Sequence, residues 1–392
     1  MPHITVKPFD TSCLKAGTYG QTALLFRAND LRSSSEMLGV EIEQETFLLH
    51  LKKSKANWLL KYDKVTRPTN VNLLKQAIGD IANAFDLEVV HSNIEIHQRK
   101  AVWVSPYEKR IEDFVNIAYP FKRIAIEVGF GSGKHLLYQA KNNPDCLFIG
   151  IEIHTPSAEQ VLRQIELQNL ENIWVVNYDA RLLLEMIPSN LCEKIFVHFP
   201  VPWDKKPQRR VISKSFLAES MRVLEQGGRL ELRTDSPNYF WYSLETFLGE
   251  GVEQTALEIH KNQSLEVTSK YEARWLRQEK DIYDVYVRAT EESDPRVIDF
   301  DFSLDTIWYK DKLLEKFSVK PIVLEQLFIH FERIYRIDDQ HILVKLSFGS
   351  FDRPEHKYLE ITSEGSAYFP SMPVKTLTNH LSHLKIKELL HD

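Results

Sequence analysis

One segment restricts the fold of this chain more than any other, "IAIEVGFGSGKHLL" at residues 124–137. An apolar run breaks off into glycines at alternate positions, Gly129, Gly131 and Gly133, and resumes as a leucine-containing stretch with helical character. A buried strand, a turn that tolerates left-handed backbone and a helix start, in that order, open a βαβ unit. The pattern then recurs. Strands are predicted at "RIAIEVG", "LFIGIEI", "IWVVNYD", "KIFVHF" and "RLELRTD", with "DIYDVYVRA" closing the sheet. Helical segments such as "HLLYQAKNN" and "SAEQVLRQIELQN" lie between them. Alternation of this kind predicts an α/β fold, a Rossmann-like parallel sheet with helices on both faces, over residues 119–292.

The flanks have a different texture. Residues 1–118 read as an N-terminal α+β accessory region, with "TALLFRA" and "FLLHLKKSKANWLLKY" as strands and Val71, Leu74, Ile78, Ile81 and Phe85 on one helical face. After "EESDP", a linker by composition, residues 293–392 read as a C-terminal α+β accessory region. Its strands are expected at "ILVKLSF" and "YLEIT", and its last helix at "VKTLTNHLSHLKIKELL". A net charge of −6 denies the chain a general attraction for nucleic acid, so such a partner must be held by a local patch. Three scattered cysteines without a C-x-x-C pair argue against a structural metal or a disulfide framework. With no long apolar run and no leader-like N-terminus, the expectation is a cytoplasmic chain with no membrane segment, no metal and no obligate protein partner.

The glycine turn admits three ligand readings. A Walker A loop fails, because Val128 stands where its first glycine belongs and His135 where its hydroxyl residue belongs. A dinucleotide fingerprint needs G-x-G-x-x-G, whereas here Glu127 precedes a G-x-G-x-G, and an anion there repels a pyrophosphate. The same anion attracts the cationic amino-acid end of S-adenosylmethionine. A ligand-free tight turn is the remaining alternative. Two further acids favour the methyl donor: Glu152 ends the second strand, where a carboxylate suits ribose hydroxyls, and Asp179 ends the third, where it suits an adenine amino group. A Gly-Gly turn feeds the fifth strand and delivers Asp235 to the same edge.

The fourth strand ends in "HFPVPWDKKPQRR". Prolines cannot continue a ladder, so they stop the strand and project a rigid loop. Trp203 offers a stacking face, and Lys205, Lys206, Arg209, Arg210 and Lys214 offer charge to phosphates. With this element in view, the chain resembles the tRNA (guanine-N7)-methyltransferase family from about Phe121 to Ala289. The resemblance rests on "EVGFGSG", "GIEIH", "YDA", "FPVPWDK", "RTD" and "SKYE" in the family's order. It implies a class I S-adenosylmethionine-dependent methyltransferase sheet. It also implies donor contacts from Glu127, Gly129, Gly131, Gly133, Glu152, Asp179 and position 201, and tRNA contacts from Trp203, Lys205, Arg209, Arg210, Asp235, Ser269, Lys270 and Glu272. Two positions depart from the family. Ser269 replaces a threonine and keeps the hydroxyl, and Val201 replaces an aspartate assigned to catalysis and the donor site.

Val201 does not remove the chemistry. Guanine N7 is an acceptor with a free lone pair and no proton to lose. Methyl transfer to it needs in-line placement rather than a general base, and acceptors near the purine favour the charge it gains. Asp235 is the expected catalytic carboxylate, set against a helix-cap reading of the same residue. His198 is expected to be a strand-end histidine without a proton-transfer role. A second class, a non-catalytic RNA-binding protein that kept the fold, is left open by Val201. In the N-terminal flank, Lys52, Lys53, Lys55, Lys61, Lys64 and Arg67 with Trp58 and Tyr62 read either as an added tRNA arm or as a hairpin with a charged solvent face.

Overall fold

In the predicted α/β region, apolar runs of four to six residues become central strands because helices cover both of their faces. The computed structural model describes residues 2–68, 70–95, 105–249, 256–267, 280–296, 299–304 and 320–391. They divide into two compact units: Val104–Asp299 with Val374–Thr376, and Met1–Trp103 with Phe300–Pro373 and Leu377–Asp392.

In the first of these, β1 (Arg123–Val128), α1 (Lys134–Asn142), β2 (Cys146–Ile151), α2 (Thr155–Leu167) and β3 (Ile173–Val176) follow one another. After them come α3 (Ala180–Met186), β4 (Cys192–His198), α4 (Lys214–Val223), β5 (Leu224–Thr234) and α5 (Pro237–Phe247). The last strands are β6 (Ala256–Lys261) and β7 (Tyr283–Arg288). The sheet order is 3-2-1-4-5-7-6. β1 to β5 run parallel, and β7 is antiparallel to both its neighbours. Every residue of β2 and β3 is buried, as two-sided helix cover requires. Strand order reverses between β1 and β4, which opens a crevice at the carboxyl ends of those strands.

Each strand predicted in this region is present, and β6 is an addition. Its sequence, "ALEIHK", alternates without a strong apolar side because it forms the sheet's edge. The "EESDP" stretch is bound to this unit rather than hanging between units. Asn190 exchanges two hydrogen bonds with the Ser293 backbone, and Arg296 pairs with Glu185 and Glu219 at 3.0 and 2.6 Å.

The other unit is built on a twelve-stranded antiparallel sheet. The two flanks, expected as separate accessory regions, share it. Strand Thr22–Asp30 pairs with strand Phe328–Arg336 through Asn29–Arg336 and Asp30–Tyr335. The buried Asp30 carboxylate accepts from Arg333 at 2.7 Å across that seam. Ala28, Met37 and Leu48 from one flank bury together with Tyr335, Leu343 and Tyr358 from the other. Helix Val71–Ala84 covers one face of the N-terminal half with Leu73, Leu74, Ala77, Ile78 and Ile81. Phe85, expected on that helical face, is its C-cap. Among the described residues no helix is long and apolar enough to cross a membrane.

Candidate donor and acceptor sites

The glycine turn sits at the carboxyl end of β1, and all three glycines have left-handed backbone, with φ of 70°, 55° and 70°. Their reasons differ. A Cβ on Gly133 would lie 2.3 Å from Val161 Cγ2, so that glycine lets α1 close onto α2. A Cβ on Gly129 or Gly131 would meet nothing within 4 Å, so their backbone borders open space. That is the property a loop needs to let a ligand approach its N–H groups.

Two carboxylates flank this turn and both are nearly buried. Glu127 accepts from His135 Nδ1 at 2.7 Å, and His135 Nε2 lies 3.2 Å from the Gln139 amide nitrogen. Glu152 accepts from the Gly131 N–H and from the His154 N–H, each at 2.9 Å. One oxygen of Glu152 thus positions the glycine turn and the other its own strand end. Held by N–H donors, these carboxylates are directed before any ligand arrives. Beside Glu152, Ile153 is 70% exposed and presents an aliphatic surface. This anionic, glycine-lined rim fits the cationic, phosphate-free methyl donor expected from the sequence.

Asp179 has a structural role at the end of β3. It caps α3, accepting from the Arg181 N–H at 2.9 Å, and it takes the Arg181 guanidinium at 2.7 and 3.0 Å. These bonds fix the direction of the carboxylate, whose side chain remains 32% exposed.

Across the crevice, β4 runs into the proline loop, where Phe199 and Trp203 hold left-handed backbone at φ of 50° and 46°. Such conformations cost about 1–2 kcal/mol each for bulky side chains and persist only where neighbours impose them. Here the Phe199 N–H donates to the Arg233 carbonyl at 2.7 Å, and Arg210 Nε donates to the Pro202 carbonyl at 2.7 Å. Arg233 in turn forms a buried pair with Asp284 at 2.5 Å, directly opposite on β7. Trp203 is partly exposed, with the Arg209 guanidinium 5.1 Å from its ring centroid, and Lys205 is exposed. Val201, expected at the donor, is 60% exposed on the same loop.

Arg210 requires a correction. It was expected on phosphates, yet it is buried, stacked on Tyr242 and Tyr239 at 4.3 and 5.4 Å and paired with Asp204 at 3.3 Å. It holds the loop from inside. Asp235 follows β5 at the same edge and pairs with Lys280 at 3.1 Å. The cap of α5 is Ser236, whose hydroxyl accepts from the Tyr239 N–H, so the helix-cap alternative for Asp235 falls away. Ser269, Lys270 and Glu272 lie outside the described residues.

His198 packs its ring 4.6 Å from His135 and 5.6 Å from Phe196. Desolvation, with His135 and Arg233 adding to it, holds its pKa well below the usual histidine range, so it is neutral at pH 7. Sequence reading missed His135 as the partner of Glu127, Lys280 as that of Asp235, and the Arg233–Asp284 pair. For the last a signal existed: charged residues inside "RLELRTD" and "YDVYVR", both apolar strands, demand a cross-strand partner.

Comparison with known proteins agrees with this geometry. Residues 122–285 match a family described as putative methyltransferase. The tRNA (guanine-N(7)-)-methyltransferase of Wolinella succinogenes is 40% identical over 370 residues, which cover 93% of each chain. That of Helicobacter pylori is 42% identical over 348 residues, covering 88% of this chain and 86% of the relative. That of Campylobacter jejuni is 38% identical over 359 residues, covering 90% of each. Matches of this length include the flanking regions as well as the sheet that bears the glycine turn, and on them the chain belongs to the tRNA (guanine-N(7)-)-methyltransferase family.

Proposed function

We infer that this chain transfers a methyl group from S-adenosylmethionine to N7 of a guanine in tRNA, and that it does so in the cytoplasm. The observation that carries the reading is the pairing of two surfaces across one switch point. An anion-rimmed glycine turn with open space before Gly129 and Gly131 ends β1, and a strained proline loop bearing Trp203, Lys205 and Arg209 ends its neighbour β4.

S-adenosylmethionine supplies an electrophilic methyl group on a sulfonium. Glu127 suits the donor's ammonium, Glu152 its ribose, and Ile153 offers an aliphatic face to its adenine. Trp203, Lys205 and Arg209 face the RNA, while Arg210 and the Arg233–Asp284 pair fix the loop that carries them. Asp235 accepts from the N1–H and amino edge of guanine, exchanging its bond to Lys280 for bonds to the base, and its charge favours the cationic purine that forms. Because N7 has no proton to give up, neutral His198 has no part in the transfer. Incubating the protein with labelled donor and unmodified tRNA, then cleaving chemically at 7-methylguanine, tests the reading. One cleavage site that depends on the donor is expected, and label without such a site, or no label, would overturn it.

A further inference from the structure

The face of the twelve-stranded sheet opposite helix Val71–Ala84 carries a charge pattern that methyl transfer at the crevice does not use. Between residues 50 and 67 the chain has six lysines and arginines and a single acid, Asp63, although its net charge is −6. Strand register sorts these side chains. Lys61 lies opposite both His3 and His50, and His50 lies opposite Met37. In the adjoining row, Thr5 lies between His91 and Leu59, and Leu59 lies opposite Lys52. The residues between these rows, Ile4, Leu51 and Leu60, point the other way into the core under the helix.

On the face turned away from helix Val71–Ala84, these two rows therefore carry lysine and imidazole and no acid. The His3 and His91 rings stack at 5.7 Å at its edge. Lys52 and His91 are exposed, and Lys61 and His50 half-buried. Asp63 accepts from the Val65 and Thr66 N–H groups and is the one acid whose charge also acts on His50. Lys345 adds to the field at His50 but is paired with Glu332 at 3.2 Å. Among the described residues neither Lys52 nor Lys61 has an ion-pair partner. A merely solvated face mixes both signs of charge, as at the Lys7–Glu88 and Lys261–Asp281 pairs. Unopposed lysines spaced along a sheet, with flat rings beside them, fit a phosphodiester backbone.

We propose that this face is a second RNA-contact surface, on which Lys52 and Lys61 bind tRNA phosphates in addition to the contacts of the proline loop. It rests on the tRNA reading above. The test uses the full chain carrying both Lys52→Ala and Lys61→Ala, with tRNA affinity measured from low to moderate salt beside steady-state methylation. Two lost phosphate contacts reduce the slope of log affinity against log salt by about 1.5 and weaken binding about tenfold at low salt. KM for tRNA rises in step, while kcat at saturating tRNA and calorimetric affinity for S-adenosylmethionine stay at wild-type values. An unchanged slope and KM in a variant that binds the donor normally overturns the surface, as does a change confined to self-association. If the wild-type protein neither binds nor methylates tRNA, the underlying reading fails as well; wild-type activity with an unshifted variant refutes this surface alone.

Discussion

The two sides of the crevice in the α/β unit are built on opposite principles. On the β1–β2 side, Glu127 and Glu152 are nearly buried, and each already holds hydrogen bonds that aim it. On the β4–β5 side, Trp203, Lys205 and Arg209 stand at the surface, and order comes from beneath, through Arg210 and the Arg233–Asp284 pair. A small, doubly cationic ligand gains most from a few fixed acceptors in a dry rim. A folded RNA offers many phosphates, and solvated cations on a rigid loop grip it without fixing one geometry.

The largest effect separating the two sides comes from replacing Glu127 and Glu152 together by glutamine. Two charge-assisted interactions at about 1.5–3 kcal/mol each are lost, so calorimetric affinity for S-adenosylmethionine falls by more than about a hundredfold. Direct tRNA binding holds; if it fell equally, the two sides would not be separable. Next is Asp235→Ala. Loss of one transition-state acceptor lowers kcat by about 10²–10³ while donor affinity persists, and full activity would remove Asp235 from the mechanism.

Smaller still is Arg209→Ala, which weakens tRNA binding about three- to tenfold and makes its salt dependence shallower by nearly one unit, whereas Arg210→Ala lowers the melting temperature. Equal behaviour of the two arginines would contradict the inward placement of Arg210. The smallest effect is expected at His198→Gln, which keeps kcat within about twofold because N7 needs no base. Its signature is in stability. The folded-state pKa of His198 lies well below its unfolded value near 6.5, so the wild-type contribution is present above that value and lost as the pH falls below it. The glutamine variant should melt with less acid sensitivity between about pH 6.5 and 5.

The strands of the α/β unit were legible because each is a buried apolar run bounded by turn residues, a local property. β6 was not, since an edge strand alternates weakly and hides in a polar context. The placement of Glu127 and Glu152 around the glycine turn was legible from their positions next to it and at a strand end. Arg210 was misread because a basic run gives no sign of which cation turns inward; two tyrosines on α5, about thirty residues away, decide that. The helix start after β5 was legible, but that Ser236 rather than Asp235 caps it was decided only by the structure.

By itself the amino-acid order determined the parallel sheet, the glycine turn, the acids at strand ends and the proline-tryptophan loop. Each follows from neighbours in sequence, through backbone freedom, burial period and the inability of proline to pair. Tertiary structure alone decided that two flanks lying some three hundred residues apart complete a single sheet through Asn29, Asp30, Tyr335 and Arg336. It alone aligned Lys52 and Lys61 with histidines in two rows across the strands that hold no acid. Strand pairing and charge alignment across strands are long-range choices, made by whichever edges and registers bury the most apolar surface, and no local stretch of sequence records them.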